Sequence, residues 1–122
     1  GARLARQLHE RGEQVLAIDS DWRKVAELPC RSLVGDVDYA ATLEEAGLPD
    51  ARVAISALRI EQANKLFVFR CKMLDVPVAV YVTDRPTRQQ LAEAGATYLV
   101  ESRRESGARL VTELERLGAV GQ

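Results

Sequence analysis

One histidine, two cysteines and no long apolar run narrow the chemistry of this 122-residue chain before any motif is considered. The longest apolar stretch, Val76 to Val82, spans seven residues with a proline inside it, against the roughly 20 needed to cross a bilayer. Neither sign of charge is in excess: 17 Lys and Arg face 18 Asp and Glu, a net charge of -1. No global field therefore draws the chain to DNA, RNA or an anionic membrane, and nucleic acid is not an expected partner. Cys30 and Cys71 stand 41 positions apart with no metal-ligand spacing around them, which predicts free thiols in a reducing cytosol and no metal site. There is no Tyr-x-x-x-Lys pair, and the single imidazole, His9, falls on the solvent face of a helical pattern. General acid–base chemistry has no agent, so no catalytic residue is expected. No linker, repeat or low-complexity segment interrupts the chain. Residues 1–122 read as one domain large enough to bury somewhat under ~70% of its unfolded surface. No secretory leader is visible, and a chain opening without Met inside a helix implies that upstream sequence is absent.

What is present is a steady alternation of helical and strand patterns. Residues 2–11 place Leu4, Ala5 and Leu8 on one face, with Gly12 as the stop. Val15-Leu16-Ala17-Ile18-Asp19, four apolar residues ending in a carboxylate, reads as a strand buried on both faces around which the rest is organised. A helix over 22–28 follows, with Asp21 as N-cap and Pro29 as the stop, then a strand over 31–35. Asp38 caps a helix over 39–46 ended by Gly47, and residues 53–57 form another buried strand. The longest helix, 60–74, shows Ala63, Leu66, Phe67, Cys71 and Leu74 at helical spacing. After Asp75-Val76-Pro77 come a β-branched strand over 78–82, a helix over 85–94 capped by Asp84 and closed by Gly95, and a strand over 98–100. Ser102 and Glu105 form a capping box ahead of a last helix, about 103–118, striped by Leu110, Val111, Leu114 and Leu117.

Short connections between alternating elements predict an α/β fold: a Rossmann-like, doubly wound parallel sheet in three α/β/α layers. The order 3-2-1-4-5-6 needs a strand before the first helix, so the first strand is expected to be missing from this chain, with Gly1 the last glycine of a phosphate-binding turn. Asp19 lies 18 positions after Gly1, about the separation between such a turn and the carboxylate that holds an adenosine ribose. On this reading Gly1 and Ala2 present backbone N–H groups to a diphosphate. Asp19 takes the ribose hydroxyls and repels a 2′-phosphate, favouring NAD or ATP over NADP. Asp36 accepts from the adenine amine, and the small pair Ser56-Ala57 lets the nucleotide cross the crevice. Each residue also has a plainer reading: Asp19 as a helix cap, Asp36 as a turn residue, Gly1 as uninformative, the fold as a scaffold that binds nothing.

With those residues in view, the chain resembles the nucleotide-binding lobe of the regulators of potassium conductance (RCK/KTN), the Trk- or Ktr-type potassium-transport regulatory domain. The likeness runs through Gly1, Leu4-Ala5, Leu8, residues 15–21, Val34-Gly35-Asp36-Val37, Leu43 to Leu48, Ala54 to Ala57, Glu61, Asn64 and Leu91 to Ala96. Tyr81 stands where members commonly carry arginine, and Ile60 where many carry aspartate. The resemblance implies that Gly1 and Ala2 hold the diphosphate, Asp19 and Ser20 the ribose, Asp36 and Val37 the adenine, and Ser56, Ala57, Leu58 and Asn64 the distal part of the ligand. The implied cofactor is NAD(H) or ATP/ADP. The implied role is a cytoplasmic regulatory domain at the inner face of the membrane, a homodimer or higher ring of like domains. It gates a potassium or other monovalent-cation channel or antiporter of the same or a separate chain. The tail from Glu101 to Gly118 is similar to that of Kef-like proton-coupled antiporters, and the last helix is the candidate dimer contact, with packing on its own sheet as the alternative. The competing functional class is a fragment of an NAD-dependent oxidoreductase.

Overall fold

The computed structural model describes residues 2–58, 61–82, 84–101, 107–116, 118 and 120, the side chains of 100, 101, 107–110 and 113 excepted. Helices and strands alternate along the chain, and every strand pairing is parallel. The elements are α1 (Ala2–Glu10), β1 (Leu16–Asp19), α2 (Trp22–Val25), β2 (Arg31–Val34), α3 (Ala40–Glu45), β3 (Ala54–Ser56), α4 (Glu61–Met73), β4 (Val78–Val82), α5 (Arg85–Ala94), β5 (Tyr98–Glu101) and α6 (Gly107–Arg116). A 3-10 turn over Leu48–Asp50, led by Gly47 at φ 82° and carrying Pro49, was not foreseen in the sequence. The chain divides into two compact units, residues 1–46 with 106–122 and residues 47–105, and each is described by itself.

In the first unit β1 pairs with β2, Leu16 opposite Arg31 through Asp19 opposite Val34. Helix α2 packs on this pair, and α1 packs on α6. Leu4, Ala5 and Leu8 are buried as their spacing predicts, together with Val25, Leu43, Val111 and Leu114. The expectation that β1 is buried on both faces fails, because all four of its residues are half-buried. Its only ladder among the described residues is to β2, itself mostly exposed. Helix α3 also begins later than expected. Tyr39, not Asp38, occupies its N-cap position and makes no side-chain cap; Asp38 lies one residue earlier, in the turn where its N–H donates to Asp36 Oδ1 at 2.8 Å.

In the second unit the order is β3-β4-β5, with Ser56 opposite Val80 and Val82 opposite Glu101. Flanked by a strand on each side and covered by α4 and α5, β4 is the buried strand: Val78, Ala79, Val80 and Val82 are at most 2% exposed. The order within each sheet is that of one flank of a 3-2-1-4-5-6 arrangement. Asp84 caps α5 by accepting from the Thr87 N–H at 2.8 Å, and Gly95 closes it at φ 109°. At the end of α4 the left-handed position falls to Asp75, φ 61°, and the Val76 N–H returns to the Cys71 carbonyl at 2.9 Å.

The buried face of α4 is rotated from the one hydropathy picks out. Asn64, Phe67, Val68 and Cys71 point inward, Leu66 and Leu74 are exposed, and Ala63 is half-buried. Leu66, Phe69 and Met73, at helical spacing, form an outward apolar line in which Phe69 is 56% and Met73 72% exposed. A helix apolar on both sides gives hydropathy no phase to follow.

Candidate functional site

Parallel strands deliver the residues after their carboxyl ends to one edge of a sheet, and in the first unit that edge holds Asp19, Ser20, Asp36 and Val37. The Gly35 N–H donates to the Asp19 carbonyl at 3.0 Å, fixing the two strand ends side by side. Each carboxylate then folds back on its own turn: Asp19 Oδ1 accepts from the Asp21 N–H at 2.9 Å, and Asp36 Oδ1 accepts from the Asp38 N–H at 2.8 Å. These are Asx-turn bonds, so the plainer reading of Asp36 as a turn residue holds as far as one oxygen goes, whereas Asp19 does not cap the following helix, a role that falls to Asp21. Oδ2 of each has no hydrogen bond among the described residues, leaving two acceptors at the sheet edge. Asp19 is half-buried and Asp36 exposed; Ser20 is exposed in the bend after β1, and Val37 is half-buried.

Asp21 caps α2 through the Arg23 N–H at 3.0 Å and also takes the Arg23 Nε at 3.1 Å. The Arg23 side chain, then its backbone N–H, holds the Asp21 carboxyl below the ordinary carboxylate range. The sequence reading missed Arg23; the i to i+2 spacing of Asp and Arg across a helix start was the available signal.

Gly35 is placed for steric reasons. A Cβ there would sit 2.9 Å from Thr42 Cγ2 on α3, so a side chain would push the Asp36 turn away from that helix. Ala2 opens α1 and is exposed, while Gly1 lies outside the described residues, as does the capping box of Ser102 and Glu105.

In the second unit Ser56, Ala57, Leu58 and Asn64 do come together. Ser56 Oγ donates to Asn64 Oδ1 at 2.5 Å, the Leu58 N–H donates to Ser56 Oγ at 3.2 Å, and Asn64 Nδ2 donates to the Leu58 carbonyl at 2.8 Å. Ser56 is 5% exposed and Asn64 2%, whereas Leu58 is 37% exposed. The polar groups of Asn64 and the backbone of Leu58 are thus occupied within the chain. No group of three or more His, Cys, Asp or Glu able to hold a metal occurs among the described residues. No helix described is long and apolar enough to cross a membrane.

Residues 1–102 match the family model of the TrkA-N domain. The chain belongs to the TrkA-N family. Solved structures agree on the fold of this TrkA-N domain. The TrkA-N domain of the inner membrane protein ybaL from Escherichia coli superposes with a TM-score of 0.77 at 21% identity, covering 91% of this chain and 85% of that one. The NAD(P)-binding domain of an exopolyphosphatase-related protein from Archaeoglobus fulgidus gives 0.71 at 18% identity, over 96% and 89%. The GsuK channel bound to NAD gives 0.71 at 20% identity over 80% of this chain, which spans only 19% of that one; GsuK has also been solved bound to ADP. No curated protein sequence matches significantly. The fold expected from the sequence, Rossmann-like α/β with parallel strands, is borne out, and so is the family that the sequence resembles.

Proposed function

We propose that this TrkA-N domain binds an adenine nucleotide, NAD(H) or ATP/ADP, and uses its occupancy to gate a monovalent-cation channel or antiporter at the inner face of the membrane. The observation that carries the reading is the pair of open Oδ2 acceptors on Asp19 and Asp36, at the carboxyl ends of neighbouring parallel strands. Such ends are where open α/β sheets bind ligands. Membership of the family supports it, as do the NAD and ADP held by GsuK. The Asp19 carboxylate takes the adenosine ribose and Asp36 the adenine amine, while Gly1 and Ala2 meet the diphosphate. By the family resemblance, Ser56, Ala57 and Leu58 belong to the distal half of the ligand. The domain senses the nucleotide and does not transform it.

We assign the same protein a self-association of like domains. The final helix was the sequence's candidate for that contact; since Val111 and Leu114 are buried within the chain, any surface α6 offers is its remaining one. The outward line of Leu66, Phe69 and Met73 on α4 supplies a second apolar surface.

Trp22, the single tryptophan, is 64% exposed three residues after Asp19 and serves as the reporter. NADH is expected to quench its emission, ADP to reverse the quench, and NADPH to bind more weakly. Asp19→Ala loses charge-assisted bonds, each about 1.5–3 kcal/mol, and weakens NADH binding by roughly 10- to 100-fold. Absence of binding by every purine nucleotide at millimolar concentration refutes the reading.

A further inference from the structure

We infer that Asn64 and Ser56 are positioning residues that never touch the ligand: they lock the segment after β3 onto α4 and so hold the turn through Ala57 and Leu58 in the one shape that the distal half of a dinucleotide reads. The inference rests on the nucleotide reading above.

Three hydrogen bonds form a closed circuit. The Ser56 hydroxyl is simultaneously donor to Asn64 Oδ1 and acceptor from the Leu58 N–H, and the Asn64 amide returns to the carbonyl of that same Leu58. A side chain that reads a ligand must aim a polar atom outward; Asn64 is 2% exposed and turns both its oxygen and its nitrogen inward. The amide orientation follows from the circuit itself, because only the NH2 can face the Leu58 carbonyl. The circuit also explains why a polar residue sits on the buried face of α4, between β3 and the apolar Phe67, Val68 and Cys71. Buried polar groups that are fully paired specify one conformation, and losing one member strands the others. With the Leu58 N–H and one lone pair of its carbonyl occupied, that residue offers the ligand chiefly its exposed side chain and the shape of the turn.

The two arms of the test are NADH, which has a distal half, and ADP, which lacks the nicotinamide riboside. Titrations of the whole chain with Ser56→Ala and Asn64→Ala should each show NADH binding weakened about 10-fold with ADP binding changed less than twofold. Because both changes break one circuit, the double variant should be no worse than either single one. Ser56→Thr keeps the hydroxyl and should recover most of the NADH affinity, a measurement that stands even where Asn64→Ala does not fold. Multiplying effects in the double variant would mean that Asn64 contacts the ligand on its own and would overturn the assignment. So would parallel losses for NADH and ADP, which mark a general loss of structure, or an unchanged affinity in Ser56→Ala. A wild-type chain that binds neither nucleotide overturns instead the reading on which the assignment rests.

Discussion

Substituting Gly35 by alanine tests whether the Asp36 turn is held by close packing against α3. The added Cβ would stand 2.9 Å from Thr42 Cγ2 and 3.4 Å from Oγ1, where ordinary contact begins at 3.4 Å, so the two groups must separate by at least 0.5 Å. Threonine cannot yield cheaply, since its branched Cβ leaves χ1 stiff. Overpacking of this kind costs about 1–3 kcal/mol. Gly35 does not sit at positive φ, so alanine brings no backbone strain and instead returns ~0.4–1 kcal/mol by restricting the unfolded chain. The net expectation for Gly35→Ala is a loss of roughly 1–2 kcal/mol in urea unfolding followed by circular dichroism. Thr42→Ser removes the methyl that blocks the new Cβ, so in that background the same change should cost nothing or stabilise slightly. The coupling in the double-mutant cycle is then about 1–2 kcal/mol. Equal losses in the two backgrounds would refute the packing argument and place the cost of Gly35→Ala elsewhere.

Four further outcomes are expected. Burial, with Cys71 fully inaccessible, pushes its thiol from 9.0 up to about 11. The unfolded chain releases that proton first, so stability is whole below pH 9 and declines between about 9 and 11, by on the order of 2 kcal/mol relative to Cys71→Ala at the same pH. A thiol reagent at neutral pH should accordingly modify Cys30, which is half-buried, and reach Cys71 only on unfolding, as counted by mass spectrometry. Asp75→Gly relieves a left-handed non-glycine position at the end of α4 and should raise stability by about 0.5–1 kcal/mol in the same urea assay. Phe69→Lys places a charge in the outward line of α4; the self-association measured by sedimentation should weaken while the unfolding midpoint stays within about 0.5 kcal/mol of wild type.

Much of this molecule was legible in the sequence where a local rule acts alone. Helix α5 needed only Asp84 at its start and Gly95 at its end, and β4 only its β-branched run, so both have the expected bounds. The misreadings arise where a group's partner in space decides. Asn64 is buried because Ser56 and Leu58 satisfy it, which hydropathy cannot register; Phe67 and Cys71 point inward as their spacing predicts, while Leu66 and Leu74 do not. Asp38 has the chemistry of an N-cap, but it lies in the turn that Asp36 closes, and the helix begins past Tyr39. The half-buried state of β1 depends on what its neighbours cover, and an apolar run looks the same in either case. For the site, the positions of Asp19 and Asp36 at strand ends were foreseen, as was a turn role for Asp36; that Asp19 also spends one oxygen on a turn was visible only in three dimensions.

Helix α1 spans nine residues, packs along α6, and is joined to it just past its C-terminal end by the ion pair of Arg11 with Glu115. A strain entering at either helix therefore meets packed side chains of the other before it meets a loop.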